Sequence, residues 1–251
     1  MKNVFLKSIW KGISQFSFPF LFIVFFCCCA DAQKLKHYWK QKLRISEPSD
    51  ICLNQTKDGF YIVSDDGLLF ETDLEGKVKR KAVFHGFDFE GVFADQNGVY
   101  VMDERTRIVH TFSLSDLALK RSVEIPYTGG RNKGFESLTW NASKNQFLAF
   151  TEKDPTWIFE LDQNFSVLNK QKLKGPSDIS AAAFSKGKLF ILSDEDHAIF
   201  RYNPETMEKE KKFKLDIINP EGLTFGPDGS LYVVSDDLGM LYRFESKPLF
   251  E

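Results

Sequence analysis

The sequence predicts an all-β fold, a five-bladed β-propeller closed by an N-terminal strand. Three observations predict it. A short acidic motif followed by paired apolar strands recurs five times in the 251 residues. The acidic residues that open these repeats are Asp50, Glu90, Glu136, Asp178 and Glu221, spaced by 40, 46, 42 and 43 residues, a length that suits one four-stranded blade. Gly, Asn and Asp turns separate the strands, and no segment carries a sustained helical period.

The first unit opens at Pro48-Ser49-Asp50-Ile51, turns at Lys57-Asp58-Gly59, and reaches Ser64-Asp65-Asp66. The second opens at Asp88-Phe89-Glu90-Gly91 and turns at Gln96-Asn97-Gly98 before Met102-Asp103-Glu104. The third runs from Gly134-Phe135-Glu136-Ser137 to Thr151-Glu152, and the fourth from Pro176-Ser177-Asp178-Ile179 to Ser193-Asp194-Glu195. The fifth opens at Pro220-Glu221-Gly222-Leu223, turns at Pro227-Asp228-Gly229, and reaches Ser235-Asp236-Asp237. A polar, alternating fourth strand is expected at 77–84, 119–125, 168–173 and 209–215, but the fifth unit ends at Glu245 with three strands. Segment 38–45 shows the same alternation and precedes the first unit. It is the expected donor of the missing strand, closing the ring without leaving a partial sheet.

Residues 1–32 read as a secretory signal peptide. Lys2, Lys7 and Lys11 make a positive start, 16–29 is almost wholly apolar and uncharged, and Ala30-Asp31-Ala32 supplies a small-x-small cleavage pattern before Gln33. Cys27, Cys28 and Cys29 offer a second route, lipidation as a bacterial lipoprotein, which would be the sole tie to a membrane. Both routes place the single domain 33–251 outside the cytoplasm: periplasmic, outer-membrane-associated or secreted. Cys52 is then the one thiol of that domain, so no internal disulfide can form and a buried, inert thiol is expected.

The composition, 43% hydrophobic and 27% charged with 26 Phe, fits a globular β-rich chain with a large apolar core. Residues 33–251 carry 30 basic and 34 acidic side chains, which gives no reason to expect nucleic-acid binding. A monomer is expected. The four His are scattered without ligand spacing, which argues against zinc. No nucleophile elbow, phosphate loop or His-Glu-x-x-His motif is present in the sequence.

Propeller geometry turns the repeat into a site. The first strand of a blade starts, and the second ends, on one face. Asp50, Glu90, Glu136, Asp178 and Glu221 are therefore expected around the channel mouth, with Asp65, Asp103, Glu152, Asp194 and Asp236 further out. Converging carboxylates repel, and hard oxygen ligands without His or Cys suit Ca²⁺, with Mg²⁺ as the alternative ion. For Asp65, Asp103, Asp194 and Asp236 a plain capping role in their turns is the expected one. Arg105, Arg131, Lys133 and Lys153 fall on the same face, where cations could meet an anionic ligand.

At Pro48-Ser49-Asp50-Ile51, Phe89-Glu90-Gly91-Val92, Phe135-Glu136-Ser137-Leu138 and Pro220-Glu221-Gly222-Leu223-Thr224-Phe225 the chain resembles the SdiA-regulated domain family of bacterial proteins, from about residue 43 to 244. The resemblance implies a five-bladed propeller of NHL-like repeats, a calcium site within it, and export or membrane attachment. It implies no reaction. The leading expectation is a non-catalytic, exported calcium-binding propeller that offers its acidic face to a small ligand or a protein. The alternative is a metal-dependent hydrolase of phosphate esters or lactones, phytase-like or lactonase-like, acting at the channel mouth with Glu136 as base.

Overall fold

A computed structural model of the chain describes residues 32–128 and 134–251. The signal-peptide and lipidation expectations, and the expected roles of Arg131 and Lys133, fall outside those residues.

Two short strands come first, β1 (Gln33–Lys34) and β2 (His37–Lys42). The first blade is β3 (Pro48–Leu53), β4 (Gly59–Ser64), β5 (Leu68–Asp73) and β6 (Val78–Lys81). The second is β7 (Phe89–Asp95), β8 (Gly98–Asp103), β9 (Ile108–Phe112) and β10 (Leu119–Glu124). The third is β11 (Ser137–Asn141), β12 (Gln146–Phe150), β13 (Trp157–Leu161) and β14 (Val167–Lys172). The fourth is β15 (Ala181–Ser185), β16 (Lys188–Ser193), β17 (Ala198–Tyr202) and β18 (Lys209–Lys214). The fifth holds β19 (Pro220–Phe225), β20 (Leu231–Ser235) and β21 (Met240–Phe244), followed by one turn of helix, α1 (Lys247–Phe250). Among the described residues no helix is long and apolar enough to cross a membrane.

Each blade is an antiparallel sheet in chain order, and the first strands β3, β7, β11, β15 and β19 touch one another in a closed cycle. β2 pairs antiparallel with β21, from His37 opposite Phe244 to Lys42 opposite Met240, and completes the fifth sheet. That is the closure expected from segment 38–45. One addition was not legible in the sequence: β1 pairs in parallel with β18 and gives the fourth blade a fifth strand.

The core is divided among the five interfaces between blades. Between the first and second blades, Tyr61, Val63 and Leu69 meet Phe89, Val101 and Phe112. Between the second and third, Tyr100, Met102 and Val109 meet Phe135, Phe147 and Phe159. Matching clusters join the third to the fourth, the fourth to the fifth, and the fifth to the first. The Phe-rich composition is explained here, because flat blades need large side chains to fill the wedge between them. Each such residue contributes roughly 1.5–3 kcal/mol of burial. Cys52 is buried in the first of these clusters and unpaired, and its thiol is pushed well up by that burial.

Candidate functional site

The site is built by a bulge repeated in every blade. In the first, second and fifth blades the pairing of the innermost strands skips one residue: Ser49 lies between Pro48 and Asp50, Glu90 between Phe89 and Gly91, Glu221 between Pro220 and Gly222. In the third blade Glu136 donates its backbone N–H to Phe150, which also faces Ser137. In the fourth, Ser180 donates to Leu192, which also faces Ala181. A bulge turns the extra residue out of the sheet's alternation and re-aims its side chain. The inner ring is therefore Ser49, Glu90, Glu136, Ser180 and Glu221, and all five line the acidic mouth.

The acid just beyond the second strand of each blade, one residue on in four blades and two in the third, forms a second ring: Asp65, Glu104, Glu152, Asp194 and Asp236, all on the same wall. The two rings, with Asp88, Asp178 and Glu195, give the mouth eleven acidic side chains against the two cations Arg105 and Lys153, around a cavity of about 370 Å³.

Two expected residues stand one place out of this register. Asp50 occupies the position of Gly91, Ser137 and Gly222, points away from the mouth, and is buried. Its Oδ2 accepts the backbone N–H of Val92 from the second blade at 2.9 Å. Ser137 Oγ plays the same part for the N–H of Ala182 in the fourth blade, also at 2.9 Å. Asp50 is thus a clasp between blades. Asp103, expected in the outer ring, ends β8 and is fully buried. It accepts the N–H groups of Phe87 at 2.9 Å and Thr106 at 3.1 Å, and Glu104 takes the ring place. Asp178 does line the mouth, but from the loop before β15. Its carboxylate accepts Ser193 Oγ, Ser180 Oγ at 3.4 Å and the N–H of Glu195 at 3.3 Å.

The register was recoverable from the motif itself. Aligning Pro48-Ser49-Asp50-Ile51 with Pro220-Glu221-Gly222-Leu223 on Pro and the aliphatic residue sets Ser49 over Glu221. Aligning on acidity slides it by one. Ser49 and Glu104 are hidden for that reason, while Ser180 lies two residues beyond Asp178 and Asp88 two before Glu90, outside a slip of one.

The electrostatics follow from the crowding of eleven acids around one mouth. Burial pushes Glu90 well up, and Glu136, Asp65, Asp88 and Glu221 push it further. Glu136 is raised by burial and by Glu104 and Glu152. Glu221 is raised to about 8, chiefly by burial and then by Asp194, with a hydrogen bond from Ser180 opposing. Asp65 is raised to about 7 by burial, Asp236, Asp88 and Glu47. Asp194 and Asp236 are also raised by burial, and Oδ1 of each is buried with no hydrogen-bond partner. The rim cations are already engaged: Arg105 Nε lies 2.8 Å from Asp88, and Lys153 Nζ lies 2.7 Å from Glu152 and 2.9 Å from Glu195. As the side chains stand, no three His, Cys, Asp or Glu among the described residues converge closely enough to ligate one ion. The donor chemistry, hard oxygens with two buried and unpartnered, fits an alkaline-earth cation and not a softer metal.

A family model described as SdiA-regulated matches residues 40–245. Among solved structures, the glutaminyl cyclase of Myxococcus xanthus superposes with a TM-score of 0.68 at 13% identity, covering 85% of this chain and 97% of that one. The β-propeller domain of Cps50 (Swd1) from Myceliophteria thermophila superposes with a TM-score of 0.53 at 10% identity, covering 82% and 99%. At these identities the likeness is one of fold.

Proposed function

This chain belongs to the SdiA-regulated family, and from that footing we propose that it is an exported calcium-binding propeller whose acidic mouth presents a bound ion to a ligand or partner without catalysing a reaction. The observation that carries the reading is the inner trio Glu90, Glu136 and Glu221, three raised acids that face one another across a single mouth. Carboxyls so placed stay protonated or take a cation. Glutamates on bulges have the reach to approach the axis, while Ser49 and Ser180 leave room between them. Asp194 and Asp236 would complete the oxygen set from the outer ring. Calcium, when bound, supplies positive charge that neutralises this set and a coordination sphere open to solvent oxygens. Arg105 and Lys153 are held by Asp88, Glu152 and Glu195, so they serve to keep the rim in place. Export rests on the sequence pattern of residues 1–32.

Calorimetric titration with CaCl₂ tests the proposal. One site per chain is expected, lost in Glu136→Gln and retained in Asp50→Asn. A parallel screen with phosphate-ester and lactone substrates addresses the non-catalytic part. Turnover abolished by chelator and by Glu136→Gln would show a hydrolase instead.

A further inference from the structure

We propose that the face opposite the acidic mouth carries a groove for a neutral saccharide, between the second and third blades. The cavity there has a volume of about 750 Å³, within the range of small-molecule sites. Its floor is aromatic. The Trp140 and Phe147 rings lie 4.8 Å apart, and Tyr100 lies 5.1 Å from Phe147. Tyr100 and Phe147 are buried, whereas Trp140 is half-buried and offers the open platform.

The rim is made of amides: Gln55, Gln96, Asn97, Asn145, Gln163 and Asn164, with the carboxylate of Asp95 and no Lys or Arg in the lining. No cation lines the groove, Arg121 reaching it only through Asn164 Oδ1 at 3.4 Å, and a cation finds one carboxylate. A polyhydroxylated ring finds both of its needs met. Each hydroxyl donates and accepts, and a planar amide offers both roles. The C–H face of a pyranose is complementary to the negative face of an aromatic ring. Asp95 is already fixed for such a role, accepting Tyr100 Oη at 3.1 Å and Asn97 Nδ2 at 3.1 Å.

Turn chemistry explains part of this rim, since Asn145 has φ 55° and Asn tolerates that conformation. It does not explain Gln55, Gln96 and Gln163. The turns between the first two strands of the fourth and fifth blades, at Lys186-Gly187 and Pro227-Asp228-Gly229, carry no amide. The amides are concentrated at this groove.

Saturation-transfer NMR on the purified protein tests the site, with maltose, cellobiose and N,N′-diacetylchitobiose as probes and indole as the apolar control. At least one disaccharide should show saturable transfer, with its C–H protons nearest the protein. Gln163→Ala lies on an exposed turn and should fold normally, yet weaken binding by up to about tenfold, as expected for one lost hydrogen bond. Trp140→Ala should abolish binding; if that variant fails to fold, the Gln163 result decides. Failure of all three disaccharides, binding of indole alone, or full affinity in Gln163→Ala overturns the proposal. None of these outcomes bears on the calcium reading, because the groove and the acidic mouth share no residue.

Discussion

Glu136, in the third blade, and Glu104, in the second, stand together on one wall of the mouth, where burial and then the negative charge of Glu104 raise the Glu136 carboxyl. Burial and Glu104 together push Glu136 well up, and burial raises Glu104 as well, so both favour the protonated form over a bare carboxylate. The same crowding links Glu90 to Asp88: burial raises the Glu90 carboxyl, and the charge of Asp88 raises it further. On the calcium reading, protons held by these raised carboxyls are released when the ion binds.

A pH dependence follows. Glu221 is raised from 4.5 to about 8 in the folded chain, so the native state binds this proton more tightly than the unfolded one. Stability from this group is fully present below pH 4.5 and is lost as pH rises toward 8. Asp65, raised from 3.8 to about 7, acts in the same direction over a lower window. Urea denaturation in EDTA should show Glu221→Gln matching the parent near pH 4.5 and exceeding it at pH 8, by a few kcal/mol at most. Parallel curves for the two proteins across that range would contradict the electrostatic account.

Asp50 separates clasp from ligand. Asp50→Ala should destabilise the fold by about 1–3 kcal/mol, because the buried N–H of Val92 loses its acceptor. Asp50→Asn keeps an oxygen there and should cost less. Calcium affinity should change in neither variant. A large loss of affinity in Asp50→Asn would restore Asp50 to the ring.

Ring closure rests on β2. A chain beginning at Pro48 lacks the partner of β21, and also Leu43 and Ile45, which pack into the cluster joining the fifth and first blades. It should melt well below the chain that begins at Gln33 and aggregate through the open edge. Equal melting temperatures would show that the closing strand is dispensable.

Gly222 tests the packing of that same junction. A Cβ at this position would lie 2.6 Å from the Cα of Asp50, an approach that backbone atoms cannot relieve cheaply. Gly222→Ala should destabilise by about 1–3 kcal/mol, read by the same denaturation curves. A neutral result would mean that the two blades can move apart.

The fold was legible because its signal is periodic: the Ser-Asp pairs, the Gly turns and the polar outer strands return at one spacing, and segment 38–45 fits the gap they leave. The ring residues were only partly legible. Glu90, Glu136 and Glu221 coincide with both the acidic motif and the bulge. Asp50 and Asp103 share the chemistry but stand one residue from the re-aimed position. In a strand one residue is the difference between two faces, and a bulge makes that count invisible until the hydrogen-bond pairing is known. The pairing of β1 with β18 was hidden for another reason: Gln33 and Lys34 form a two-residue strand, too short for any period to register.

The most direct measurement is a crystal structure of the protein grown with millimolar CaCl₂. The account predicts one ion near the propeller axis, about 2.3–2.6 Å from carboxylate oxygens of at least two of Glu90, Glu136 and Glu221, and absent from crystals of the variant in which all three are Gln. An acidic mouth without an ion at saturating calcium would contradict it.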